Sequence, residues 1–175
     1  MTLIISGTNR KGSYSLQVSK IVEKIYNSLQ VPCEILSLAD IPFKDTFDEP
    51  YSGTLPIDFK PFAQKVEKAK GLVIVCPEYN GSFPGILKYF IDHWPYPGSF
   101  TYKPVCLIGI GAGVFGGLRA LEHLQGILLY RKGCVCPEKV LIGNVQNVVQ
   151  NSEIKDKNLM ERLQLQAKKF IEGYS

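Results

Sequence analysis

Apolar positions along the chain follow two alternating patterns. Leu3-Ile4-Ile5 is a short unbroken apolar run and predicts a buried strand. From Ser15 onward, Val18, Ile21, Val22, Ile25 and Leu29 recur three and four residues apart, which places them on one face of a helix. Cys33-Glu34-Ile35-Leu36-Ser37-Leu38 reads as a second strand. The stretch after it contains Pro42, Pro50, Gly53 and Pro56, shows neither period, and reads as a long surface loop. A short helix around Phe62 to Ala69 leads to Gly71-Leu72-Val73-Ile74-Val75-Cys76, whose apolar continuity implies burial on both faces.

The alternation continues to the end of the chain. Pro84 can open a helix because its missing N–H is not needed in the first turn, and that helix runs to about His93. Val105 to Ile110 is the fourth strand. The Gly-rich segment Gly111 to Gly117 precedes a helix with Leu118, Leu121, Leu124, Gln125 and Leu128 on one side, ending near Gly133. Cys134-Val135-Cys136 and Val140-Leu141-Ile142 supply a fifth strand interrupted at Pro137. Glu153 to Ile171 reads as a C-terminal helix with Ser152 as its N-cap. Strands alternating with helices imply a parallel sheet covered on both faces and joined by right-handed crossovers. The expected fold class is therefore α/β, a flavodoxin-like three-layer sandwich with a five-stranded parallel sheet in the order 2-1-3-4-5. Residues 1–175 would form one domain. Such sheets bind ligands beyond the carboxyl ends of the strands, where the chain reverses direction. The loops after strands one, three and four are expected to converge there.

Composition narrows the classes. With 45% hydrophobic and 21% charged residues, the chain has the balance of a soluble globular protein. No apolar run approaches the length needed to span a bilayer, and the N-terminus has no signal-peptide pattern, so no membrane association and a cytoplasmic location are expected. The net charge of +4 comes without a dense Lys/Arg stripe. That speaks against a nucleic-acid partner and suits an anionic small molecule. The 5 cysteines read as buried thiols: Cys134 and Cys136 would share a strand face, but no second pair or His cluster completes a metal site.

Three loops carry the candidate chemistry. Gly7-Thr8-Asn9-Arg10-Lys11-Gly12-Ser13 follows the first strand and places Thr8, Arg10, Ser13, Tyr14 and Ser15 around a helix start. Unpaired N–H groups and the positive dipole end favour an anion there, Arg10 adds a planar charged fork, and the hydroxyls can donate to phosphate oxygens. The bland reading of the same residues is a capped helix with a Gly turn. The loop is neither a Walker motif nor a dinucleotide fingerprint, since the Gly spacing fits neither. The second loop, Pro77-Glu78-Tyr79-Asn80-Gly81-Ser82-Phe83-Pro84-Gly85, has a backbone that could line a flat heteroaromatic ring; its bland reading is an Asn-Gly turn. The third, with Gly111, Gly113, Gly116 and Gly117, offers close backbone approach and room for a planar ligand.

Ile5 to Ser13, Pro77 to Gly85 and Gly116-Gly117-Leu118-Arg119-Ala120-Leu121-Glu122-His123-Leu124 together resemble, in the expected order, motifs of the NADPH-dependent FMN reductase family, which includes quinone, azo-dye and chromate reductases. The resemblance implies FMN as cofactor and NADPH or NADH as co-substrate. Thr8, Arg10, Ser13 and Ser15 would hold the phosphate, with Tyr14 beside them as a further cofactor-binding residue. Pro77, Glu78, Tyr79, Asn80 and Gly81 would frame the ring, with Gly111 and Gly113 from the third loop. The sequence departs from the family at Ser15, commonly Asn, and at Gly111, often Ser; hydrogen bonds there would come from backbone and water instead. The implied activity passes electrons through bound flavin to quinones, free flavin, azo compounds or similar small-molecule acceptors, in a homodimer or homotetramer, with no catalytic acid or base required. The competing class is a flavodoxin-like electron carrier without NAD(P)H turnover, and the mildly basic charge and Arg10 argue against it. Tyr79, Phe83 and Phe115 would line the substrate side of the ring or pack in the core or a dimer. His93 and His123, on helices, read as structural. Trp94-Pro95-Tyr96-Pro97 reads as an aromatic cluster able to pack on a partner subunit.

Overall fold

The computed structural model describes residues 1–43, 59–95 and 98–174. Five strands form one parallel sheet: β1 (Thr2–Ser6), β2 (Cys33–Ser37), β3 (Gly71–Pro77), β4 (Pro104–Ile110) and β5 (Cys134–Ile142), in the order β2-β1-β3-β4-β5. This is the flavodoxin-like doubly wound order, with its topological switch between β1 and β3. Residues alternate across the sheet, so successive side chains feed opposite layers. Leu3, Ile5, Leu72 and Ile74 pack under α2 (Lys60–Lys68), α3 (Gly85–Asp92) and α4 (Leu118–Tyr130). Ile4, Val73, Val75 and Ile108 pack under α1 (Tyr14–Ser28) and α6 (Lys157–Tyr174). The three-layer sandwich expected from the alternation is thus present.

Two basic side chains fix the helices on the first face. Lys103 Nζ donates to the carbonyls of Val66, Glu67 and Ala69 at 2.7, 2.9 and 2.7 Å, closing the carboxyl end of α2. Arg131, just past α4, donates to the Trp94 and Pro95 carbonyls at 3.2 and 2.9 Å beyond the end of α3. Lys103 supplies donors where a helix leaves its last carbonyls without intrahelical partners, and Arg131 does the same for the irregular turn after α3.

Four expectations change. The fifth strand is continuous through Pro137, and the break is a shift in register: Val105 pairs with Val135 but Leu107 with Lys139. The sheet tolerates the proline because β5 is an edge strand with a bulge there. The C-terminal helix begins at Lys157, not Glu153. Asn151 and Ser152, with φ of 50° and 59°, turn a small hairpin between β6 (Val149–Gln150) and β7 (Glu153–Ile154). Ser152 therefore caps nothing, and Asp156 Oδ1 instead accepts from Leu159 N–H at 3.2 Å. Trp94 is core and not a partner surface: it is buried, stacked on Phe100 with centroids 4.3 Å apart and edge-on to Phe90. Tyr96 and Pro97 lie outside the described residues, as does most of the expected surface loop, including Pro50, Gly53 and Pro56. Finally, β2 stops at Ser37, whose Oγ caps a single 3₁₀ turn over Leu38–Asp40.

Candidate active site

At the carboxyl end of β1 the chain must turn away from the sheet in very little space. Gly7 donates to Val75 O at 2.9 Å, and a Cβ at Gly7 would lie only 2.8 Å from that same oxygen, so only glycine lets the chain leave the sheet here. Thr8 is fully buried; its Oγ1 accepts from Arg10 N–H at 3.3 Å and lies 3.0 Å from the Tyr79 hydroxyl. Ser13 caps α1 through Leu16 N–H at 3.2 Å. The backbone N–H groups of Gly12, Ser13, Tyr14 and Ser15 have no acceptor among the described residues. The Ser15 hydroxyl, inside the structure, is likewise without a partner. Arg10 and Lys11 are exposed and make no ion pair among the described residues. The segment therefore presents donors and positive charge that no described residue receives, which is the chemistry of an anion cradle at a helix N-terminus.

The loop after β3 is a tight hairpin. Glu78 N–H donates to Ile110 O at 3.0 Å, and Tyr79 and Ser82 exchange backbone bonds of 2.8 and 3.0 Å. Asn80 and Gly81 occupy the two positive-φ corner positions, 51° and 76°, so their identities serve this turn. The loop after β4 packs on the end of β5. A Cβ on Gly143 would fall 2.4 Å from Val114 O, and one on Gly116 2.7 Å from Ile142 N. These glycines let backbone meet backbone and do not open room for a ring. Gly111 N–H donates to Ile142 O and Gly113 O accepts from Asn144 N–H, both at 3.1 Å.

Between these loops lies a cleft of about 550 Å³ at the β1/β3 switch. Arg10, Ser13, Tyr14, Ser15, Pro77, Glu78, Tyr79 and Gly111 line it. Thr8 stands behind the wall, held to Tyr79. Asn80, Gly81 and Gly113 are not among the lining residues; they shape the backbone that carries it. Val145 and Gln146, in the one-turn helix α5 (Val145–Val148), also line the cleft and were not expected. Their sequence signal was only their position after strand five, at the same sheet edge.

The sequence profile of the NADPH-dependent FMN reductase family matches residues 1–147. The chain belongs to this family. It is 35% identical to a quinone reductase of Escherichia coli (strain K12), over 95% of this chain and 90% of that protein. It is 30% identical to an FMN-dependent NADPH-azoreductase of Staphylococcus haemolyticus, over 97% and 90%. Its fold matches the flavoenzyme NAD(P)H:(acceptor) oxidoreductase FerB of Paracoccus denitrificans with a TM-score of 0.77, at 24% identity and 98% and 94% coverage. Family membership makes the protein an FMN-using, NAD(P)H-dependent oxidoreductase.

Within this reductase the aromatic candidates separate. Tyr79 lines the cleft and is 39% exposed, Phe83 packs against the core, and Phe115 is open to solvent. His93 is buried between Phe59 and Tyr89, its Nδ1 2.8 Å from the Tyr89 carbonyl. His123 is exposed, with Nδ1 3.0 Å from Ser82 Oγ. Cys76, beneath the second loop, is buried, and desolvation pushes its thiol well above the ordinary range, so it is a packing residue.

Proposed function

We propose that the cleft between the β1 and β3 loops holds FMN and that the enzyme moves electrons from NADPH or NADH to quinones, free flavin, azo compounds or similar small acceptors. The observation that carries the placement is the unsatisfied anion cradle: the partnerless Ser15 hydroxyl and the free N–H groups from Gly12 to Ser15, flanked by Arg10 and Lys11. Their donor chemistry fits a phosphate monoester, which offers only acceptors. Serine at position 15 fits as well, because its buried hydroxyl already lacks the partner that a phosphate oxygen would supply.

When bound, FMN supplies the hydride and electron-transfer chemistry. The chain's part is to bind, orient and shield. Arg10, Ser13, Tyr14 and Ser15 anchor the phosphate end. Pro77, Glu78, Tyr79 and Gly111 bound the far side of the cleft and would enclose the ring. Asn80, Gly81 and Gly113 contribute by fixing the backbone there. No side-chain acid or base enters the scheme. A carrier without NAD(P)H turnover is disfavoured by the family to which the chain belongs.

The same reading includes work in the cytoplasm and a homodimer or homotetramer. Five free thiols suit a reducing compartment, and no described helix is long and apolar enough to cross a membrane. Tyr102, Leu129 and Tyr130, exposed at 76%, 52% and 77%, offer apolar surface for a second copy.

The phosphate assignment is tested by titrating apoprotein with FMN and with riboflavin, following flavin fluorescence. FMN should bind on the order of a hundredfold tighter, the worth of two charge-assisted hydrogen bonds. Equal affinities would rule out the cradle as the phosphate site.

A further inference from the structure

The cleft has a third wall, separate from the donor-rich start of α1 and from the hairpin after β3. Apart from those two segments, the cleft is lined by Ile110, Gly111, Ala112, Val145 and Gln146. Only Gln146 among these carries a side chain that can hydrogen-bond. Val145 is buried with the core residues on the α1 face of the sheet, and Gln146, the next residue, is exposed.

Backbone bonds hold this wall in place and leave the Gln146 amide available. Gly111 N–H donates to Ile142 O, Val145 N–H to Gly111 O and Asn144 N–H to Gly113 O, all at 3.1 Å, so the turn after β5 is fastened to the loop after β4. The carbonyls of Gly111 and Gly113 are thereby engaged. Between them, Ala112 O accepts from Gln146 Nε2 at 3.5 Å, the outer limit for such a bond. Gln146 Oε1 has no partner among the described residues. A long hydrogen bond at an exposed site is worth little, and the amide can exchange it for a ligand's hydroxyl at small cost.

The three parts of FMN ask for different partners. Its phosphate offers only acceptors and suits the donors between Arg10 and Ser15, while its flat ring suits the wall from Pro77 to Tyr79. The polyol between them carries hydroxyls that both donate and accept, and a carboxamide does the same through its two ends. We propose that Gln146 binds the ribityl hydroxyls of the flavin, exchanging its long bond to Ala112 O for them. The inference rests on the FMN reading of the cleft.

The test titrates apoprotein with FMN, with riboflavin, which lacks the phosphate, and with lumiflavin, which has a methyl group in place of the whole polyol, following flavin fluorescence. Gln146→Leu keeps the bulk and removes the amide, Gln146→Ala removes both, and Asn147→Ala, one residue along and also exposed, is the control. Both Gln146 variants should weaken FMN and riboflavin by the same factor, about fivefold as for one neutral hydrogen bond, and leave lumiflavin unchanged. Asn147→Ala should bind all three as wild type does. A loss confined to FMN would place Gln146 at the phosphate, and an equal loss for all three would place it at the ring. Either would overturn the proposal, as would wild-type affinities in both Gln146 variants or a matching loss in Asn147→Ala. The phosphate placement fails separately: if wild type binds FMN no better than riboflavin it falls, while a loss of both in Gln146→Leu that spares lumiflavin still supports the polyol contact.

Discussion

The hydroxyls of Thr8 and Tyr79 lie 3.0 Å apart, tying the loop after β1 to the loop after β3 across the switch point of the sheet. One end of this link is fully buried and the other faces the cleft. It sets the spacing between the start of α1 and the opposite wall of the cleft. Tyr79→Phe keeps the ring and removes the link, and it should weaken FMN binding about fivefold, as expected for one neutral hydrogen bond of about 1 kcal/mol. A double-mutant cycle with Thr8→Val, read by FMN titration, should give a coupling energy of about 1 kcal/mol. Additive effects would show that the two hydroxyls act separately.

Ser15→Ala should act with opposite signs on the two forms of the protein. In apoprotein the buried hydroxyl has no partner, so its removal should leave stability unchanged or raise it by about 1 kcal/mol. With FMN present the same change should remove one hydrogen bond to phosphate and lower the stabilisation by the ligand. Thermal unfolding with and without saturating FMN checks both signs.

Lys103 closes α2 with three hydrogen bonds, and Lys103→Met should cost about 1–3 kcal/mol in urea unfolding. Burial of its ammonium lowers the lysine pKa below its ordinary value, despite the opposing pull of Glu67. Below that folded pKa, the native state bears the full cost of holding the charge. As pH rises from there toward the unfolded pKa, the unfolded state binds more protons than the native one, so stability rises. Wild type should therefore gain on Lys103→Met across the alkaline range just below about 10.5.

The thiols should divide by burial. Cys76, Cys106 and Cys136 are buried, whereas Cys33 and Cys134 are partly exposed. A brief alkylation pulse under native conditions, read by peptide mass spectrometry, should label only the latter pair. Labelling of Cys106 before unfolding would contradict the packing of β4 against β5.

The sheet was legible because its strands are unbroken apolar runs while its helices keep a three-and-four spacing. Leu3 to Ile5 and Gly71 to Cys76 could hardly be anything else. The donor-rich start of α1 was legible for a similar reason: Arg10, Ser13 and Ser15 lie within one loop and one helical turn. What failed to show depended on distant partners or on ambiguous residues. Val145 and Gln146 reach the cleft only because β5 ends beside β4, and no periodicity announces that. Gly116 reads as a position of close backbone approach, but that the backbone it meets is the end of β5, with Gly143 on the other side, depends on a partner distant in sequence. Ser152 suits both a cap and a turn, and hairpin pairing decided for the turn, leaving the cap to Asp156.

Anaerobic stopped-flow mixing of the FMN-loaded protein with NADPH tests most directly whether the cleft is that of a working reductase. Rapid loss of the flavin's visible absorption band is expected, followed by its return when a quinone is added. A band that persists at saturating NADPH and at saturating NADH would contradict that assignment.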